Sequence, residues 1–240
     1  YSLGAGEART AEELARQTTL AREVWVKARD TSDFAHFAPM LGTLVDLKKK
    51  VADAIGYETE AYEALVDEFE PGARVAEIEK TFSALRDAVA PLVKRVLAAK
   101  RKPDETILTR HYPKDRQIAL ARRMAEALNY DFDAGRIDVS SHPFCTTIGG
   151  AGDVRVTTRY HENNLCSSLF GILHEVGHAL YELGLPVEHM FTPMAQPTSL
   201  GIHESQSRLW ENFIGRSREF WECHYAEAQK TFPEALGNVS

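Results

Sequence analysis

The stretch Phe170–Leu183, FGILHEVGHALYEL, decides how the rest of the chain is read. It carries His174, Glu175 and His178 in the order H-E-x-x-H. On a helix, residues four apart share a face, so the two imidazoles can reach one metal ion. Glu175 stands one position round the same turn, placed to work on a water activated by that metal. Ile172, Leu173, Val176, Ala179, Leu180 and Leu183 recur at helical spacing and give the segment an apolar side to bury. Asn163 or Asn164 starts this helix, Gly184 stops it, and Pro186 blocks its continuation.

A catalytic site of this kind needs a third protein ligand and an open position. Downstream candidates are Glu182, Glu188, His189, His203, Glu204 and Glu211. A metzincin arrangement would put Gly at 181 and His at 184, where Tyr181 and Gly184 stand, so that branch is excluded. A Glu from a later helix is the remaining common solution. Leu200, Leu209, Trp210, Phe213 and Ile214 give such a helix a face to bury, and Glu204 lies on it. With His174, His178 and Glu204 holding the metal, Glu175 is the general base and the expected reaction is peptide bond hydrolysis. His203 and Tyr181 are both candidates to stabilise the developing oxyanion.

Working outward, the chain upstream of Asn129 reads as helical hairpins. Thr10 and Glu13 form a capping-box pair for a helix to about Arg29, and Ser32 or Asp33 caps the next, which ends at Gly56. Pro39 is expected to kink that second helix or split off its first turn. Helices over about 59–69 and 75–102 follow, the latter containing Pro91, and Pro113 opens one to about Leu128. Residues 129–153 collect glycines, Asp and Ser and read as loop and turn. The alternation Val154-Arg155-Val156-Thr157-Thr158 is a strand signal, forming a hairpin with 144–148 through Gly149-Gly150. Helices over about 201–213 and 217–229 complete the chain. The fold class is therefore mainly α: one helical domain over 1–240, helical hairpins over 1–128, then a hairpin and metal-site helices over 129–240.

Composition bounds the rest. The 240 residues are 44% hydrophobic and 26% charged, an ordinary globular balance. A net charge of −7 argues against a nucleic-acid partner, which usually shows as a basic stripe. No apolar run approaches the roughly 18 residues of a membrane span. Three cysteines without a C-x-x-C pair, and no signal peptide, fit a reducing, cytoplasmic setting. The sequence starts at Tyr1 rather than Met and stops at Ser240 without a closing element, so it reads as a piece of a longer protein.

Four motifs in order carry a family resemblance: His142-Pro143-Phe144, Asp153-Val154-Arg155-Val156-Thr157, the His174–His178 run, and His203-Glu204-Ser205-Gln206. Gly135-Arg136-Ile137-Asp138 and Arg208-Leu209-Trp210-Glu211-Asn212 flank them. The chain resembles the Taq-type metallocarboxypeptidases from about Val24 to Pro233. The resemblance implies a zincin-type helical groove fold with a small sheet beside the metal helix. It implies a peptide substrate trimmed one residue at a time from its C-terminus, zinc or cobalt as cofactor, and a cytoplasmic homodimer. It also implies His174, His178 and Glu204 as ligands with Glu175 as base. Arg155, His142 and His203 are the candidates for substrate contact. Two further family motifs, I-R-x-x-A-D and G-x-x-Q-D-x-H-W, have no counterpart in the sequence. Two other readings fit the same residues: an inactive metal-binding half of such an enzyme, and a neurolysin-like endopeptidase.

Overall fold

The computed structural model describes residues 5–239; Tyr1 and Ser240, where the sequence begins and stops, lie outside the described residues. The chain forms two compact units that divide between Ala99 and Lys100.

The first unit is helical. Helix α1 (Ala5–Asp30) and α2 (Phe34–Ile55) pack side by side, burying Ala21, Ala28, Leu47 and Ala52, and α3 (Ala61–Val66) packs on α2. Helix α1 begins before the expected cap. Thr10 lies inside it, with its hydroxyl donating to the Gly6 carbonyl at 3.1 Å, and Glu13 pairs with Arg16 instead of reaching back. A mid-helix Thr that bonds the carbonyl four residues back is the alternative use of the same side chain. Asp33 caps α2 by accepting from the His36 amide, and Gly56 ends it at φ 84°, a conformation open to glycine. Helix α2 is unbroken through Pro39. Helix α4 (Val75–Leu97) likewise contains Pro91 and ends five residues before Lys102.

The second unit holds the H-E-x-x-H helix. Helix α5 (Lys114–Ala127) ends in a left-handed Asn129 at φ 62°. The Asn129 amide bonds Glu126 O and the Tyr130 amide bonds Ala125 O, closing the helix in a Schellman motif. Strands β1 (Gly135–Val139), β2 (Phe144–Thr147) and β3 (Val154–Thr158) make a sheet in the order β1-β3-β2. The β2–β3 hairpin is antiparallel, with Phe144 opposite Thr157, and turns through Gly149 and Gly150, both at positive φ. Strand β1 corrects the reading of 129–153 as loop. It pairs parallel to β3, Gly135 opposite Val154, with residues 140–153 making the crossing between them. Gly135 is required there because a Cβ would strike the Val154 carbonyl and the Tyr130 ring. The Tyr130 hydroxyl donates to the Val154 carbonyl at 2.6 Å.

Helix α6 (Leu165–Leu183) lies against β3, β2 and α5. Asn164 caps it by accepting from the Ser167 amide at 3.1 Å. Its apolar side, Leu169, Ile172, Leu173, Val176 and Ala179, is buried with Val154 and Val156 of β3 and Leu120 and Met124 of α5. Each large aliphatic side chain so buried contributes about 1.5–3 kcal/mol, which fixes the helix on the sheet. Helix α7 (Leu200–Arg208) crosses α6 and continues into a π-helical stretch, Leu209–Ile214. Helices α8 (Arg218–Thr231) and α9 (Pro233–Leu236) close the unit and bury Phe220, Phe232 and Leu236. The result is the expected mainly helical architecture with a small sheet beside the H-E-x-x-H helix. No described helix is long and apolar enough to cross a membrane.

Candidate metal centre

On α6, the four-residue spacing brings the His174 and His178 rings together, centroids 4.8 Å apart. Ser199 caps α7 by accepting from the Ile202 amide, and the helix then presents Glu204 to both rings. Glu204 Oε2 lies 3.6 Å from His174 Nε2 and 3.3 Å from His178 Nε2. Among the described residues these three form the one cluster of potential ligands, donor atoms within 4.8 Å of one another. Donors bound tetrahedrally at about 2.0–2.1 Å stand about 3.3 Å apart, so the separations suit one divalent ion. Two neutral imidazoles and a carboxylate are also the right donor chemistry for a borderline-soft metal.

The approach of the two helices depends on Gly177, the fourth residue of H-E-x-x-H. A Cβ there would sit 2.8 Å from Ser207 Cα and 3.1 Å from the Gln206 carbonyl. Backbone cannot move aside as a side-chain tip can, so only glycine admits α7 at this distance.

The electrostatics follow from burial. Glu175 is 6% exposed, and its carboxyl is pushed up to about 7, first by burial and then by the charges of Glu204 and Glu211. His178 is pushed down to about 4, first by burial and then by the neighbouring His203 and His174. It is therefore neutral near pH 7, with a lone pair available to a metal. Its Nδ1 is buried without a hydrogen-bond partner. Glu204 is held below the usual carboxylate range: burial raises it, but the Arg208 and Ser207 hydrogen bonds outweigh that.

The remaining candidate residues are distributed as follows. Glu211 approaches His174 from behind, its Oε2 2.9 Å from Nδ1. Glu211 is one of the six candidate third ligands in the sequence; it stands on the opposite ring nitrogen, where a carboxylate orients an imidazole. Its place seven residues after Glu204 on one helical face was the available signal. His203 stacks on the His178 ring at 4.5 Å, with Nε2 2.8 Å from Glu182. The Tyr181 hydroxyl accepts from the Thr198 amide at 3.2 Å and its ring meets His203 edge-on. Arg155, on β3, is gripped by both oxygens of Asp153 at 2.6 and 2.7 Å. His142 is exposed in the β1–β2 loop, with Nδ1 2.6 Å from the Pro143 carbonyl. The structure thus brings His174, Glu175, His178, His203 and Glu204 into one cluster. Arg155 and His142 lie on the sheet and its loop.

Comparison with known proteins gives concordant results. A family model described as carboxypeptidase Taq (M32) metallopeptidase matches residues 5–240. Carboxypeptidase 1 of Bacillus subtilis is 42% identical over 220 residues, covering 92% of this chain and 44% of that protein. Thermostable carboxypeptidase 1 of Thermus thermophilus is 43% identical over 241 residues, 97% of this chain and 47% of that protein. A solved structure described as the BsuCP crystal structure superposes with a TM-score of 0.93 at 40% identity, covering 97% of this chain and 46% of that one. The chain spans less than half the length of these relatives.

Proposed function

Because the chain belongs to the Taq-type (M32) metallocarboxypeptidase family, we propose that it serves a metal-dependent carboxypeptidase releasing single residues from peptide C-termini. One observation carries the site: His174, His178 and Glu204 converge on a common point beside a buried Glu175. The family is one of metallopeptidases, and zinc is the metal we assign, with cobalt as the alternative, on the strength of the two-imidazole, one-carboxylate donor set. A divalent metal held by His174, His178 and Glu204 would supply Lewis acidity toward a water and a substrate carbonyl. Glu175 takes the proton of the attacking water and returns it to the leaving amine. Burial raises its carboxyl, which makes it a stronger base than an exposed carboxylate. Glu211 keeps the His174 ring turned toward the centre. His203, stacked on His178, is the group we place nearest the developing oxyanion, and Arg155 and His142 are retained as substrate contacts. The three free cysteines suit a cytoplasmic setting. The homodimer is carried by the family resemblance.

The span of the chain relative to its relatives favours one second reading: these residues bind the metal, and hydrolysis needs the further length that the relatives have. Both readings meet one experiment. In the natural full-length polypeptide, Glu175→Gln should cut turnover by at least about 10²-fold while bound zinc, measured by elemental analysis, is retained. Released residues should be single and C-terminal, and C-terminal amidation should block them. Internal cleavage products, or full activity in the Gln variant, would overturn the carboxypeptidase assignment.

A further inference from the structure

Arg208 touches both carboxylates that flank the histidines. Its Nε donates to Glu204 Oε1 at 2.7 Å, and its Nη1 donates to Glu211 Oε2 at 3.1 Å. Positions 204, 208 and 211 fall on one face of α7 and its π-helical continuation, so the three side chains meet by helical spacing. The consequences for the two oxygens of Glu204 differ. Oε1 is committed to the guanidinium, whereas Oε2 faces both imidazoles and accepts from the Ser207 hydroxyl at 3.0 Å. Glu211, only 15% exposed, is clamped from its other side by Arg216, whose Nη2 donates to Oε1 at 3.0 Å. A guanidinium is a rigid planar fork; it fixes two acceptors relative to each other, which a lysine ammonium cannot do.

We propose that Arg208 is a positioning residue for the metal centre. It restricts Glu204 to one metal-facing oxygen and fixes Glu211 behind His174. This rests on reading His174, His178 and Glu204 as the metal-holding set. Arg208 is itself 52% exposed, and an exposed ion pair stabilises a fold very little. Its contribution therefore appears in the metal geometry and not in the stability of the metal-free chain.

The test uses the full polypeptide with zinc alone and cobalt alone as probes. Arg208→Ala should weaken zinc binding by about 10–100-fold, the range for groups that orient metal ligands. In the cobalt-loaded protein its visible band should weaken, as the freed Glu204 engages the ion through both oxygens and raises its coordination number. Arg208→Lys should keep the altered spectrum, since a rotatable ammonium lacks the rigid fork that fixes the two carboxylates relative to each other. The metal-free melting temperature should match the wild type in both variants, and Arg218→Ala, at an exposed pair with Glu222, should bind zinc normally. Wild-type affinity and spectrum in Arg208→Ala would overturn the proposal. So would an affinity loss that tracks a lowered metal-free melting temperature with the spectrum unchanged. If the wild-type chain bound no zinc, the metal-centre reading would fall with it. Peptide hydrolysis is not part of the readout, so an inactive but zinc-binding chain still decides the question.

Discussion

Two side chains on α6 that differ by three positions show how burial divides labour. Burial pushes the Glu175 carboxyl up and the His178 imidazole down, in each case disfavouring the charged form. A carboxylate made more basic and an imidazole made less basic thus sit within one turn. The same principle governs Cys145 on β2. Its thiol is pushed up to about 12 by burial first, then by the carboxylates of Glu175 and Glu182. Cys223 is exposed. The thiolate is the reactive form, so at pH 8 iodoacetamide should modify Cys223 well before Cys145. Labelling of Cys145 should accelerate as the pH climbs toward 12. Peptide mapping that found Cys145 alkylated first at pH 8 would contradict this account of the site's electrostatics.

At the scale of elements, the α6–α7 crossing is the structural decision on which the site depends. Replacing Gly177 with Ala puts a methyl against the α7 backbone at Ser207 and Gln206. Helix α7 must then shift, taking Glu204 with it. We expect Gly177→Ala to cost about 1–3 kcal/mol in urea unfolding and to weaken zinc binding in a parallel titration. An Ala variant with unchanged stability and affinity would mean the crossing has slack that the structure does not show. The π-helical stretch after α7 belongs to the same decision, because it carries Glu211 to the far side of His174. Neither feature has a signature in propensity. Position 177 is one of the unspecified residues of H-E-x-x-H, and the need for glycine there comes from a helix 30 residues away.

For the molecule as a whole, metal binding should be a local stabiliser with a global readout. The elements that present the cluster, α6 and α7, lie in the second unit. Zinc at about 100 times its dissociation constant adds roughly 2.7 kcal/mol to a native state that alone binds it. Hydrogen exchange should slow across 165–183 and 200–214 on adding zinc and recover on chelation. Protection that appeared only outside these segments would place the ion elsewhere.

The sequence by itself determined whatever depends on neighbours along the chain. The H-E-x-x-H helix, its start at Asn163 or Asn164 and its stop at Gly184 are local periodicity and local hydrogen bonding. So are the β2–β3 hairpin at Gly149-Gly150 and a later helix bearing Glu204. These were legible because residues within about four positions settle them. The family motifs added the order in which such pieces recur. Local signals also misled: Thr10 and Glu13 look like a cap, yet α1 starts earlier, and the Thr10 hydroxyl bonds the Gly6 carbonyl inside the helix instead. Only the tertiary structure decided the rest. Strand β1 is five residues of mixed polarity whose partner lies nearly twenty residues on, so no local pattern announces it. Of the later carboxylates, Glu182 pairs with His203, Glu211 backs His174 and Glu204 meets both metal-facing nitrogens. Which acid takes which place is set by how closely α7 crosses α6. That distance is fixed by close packing between backbones remote in sequence, which no reading of one segment at a time contains.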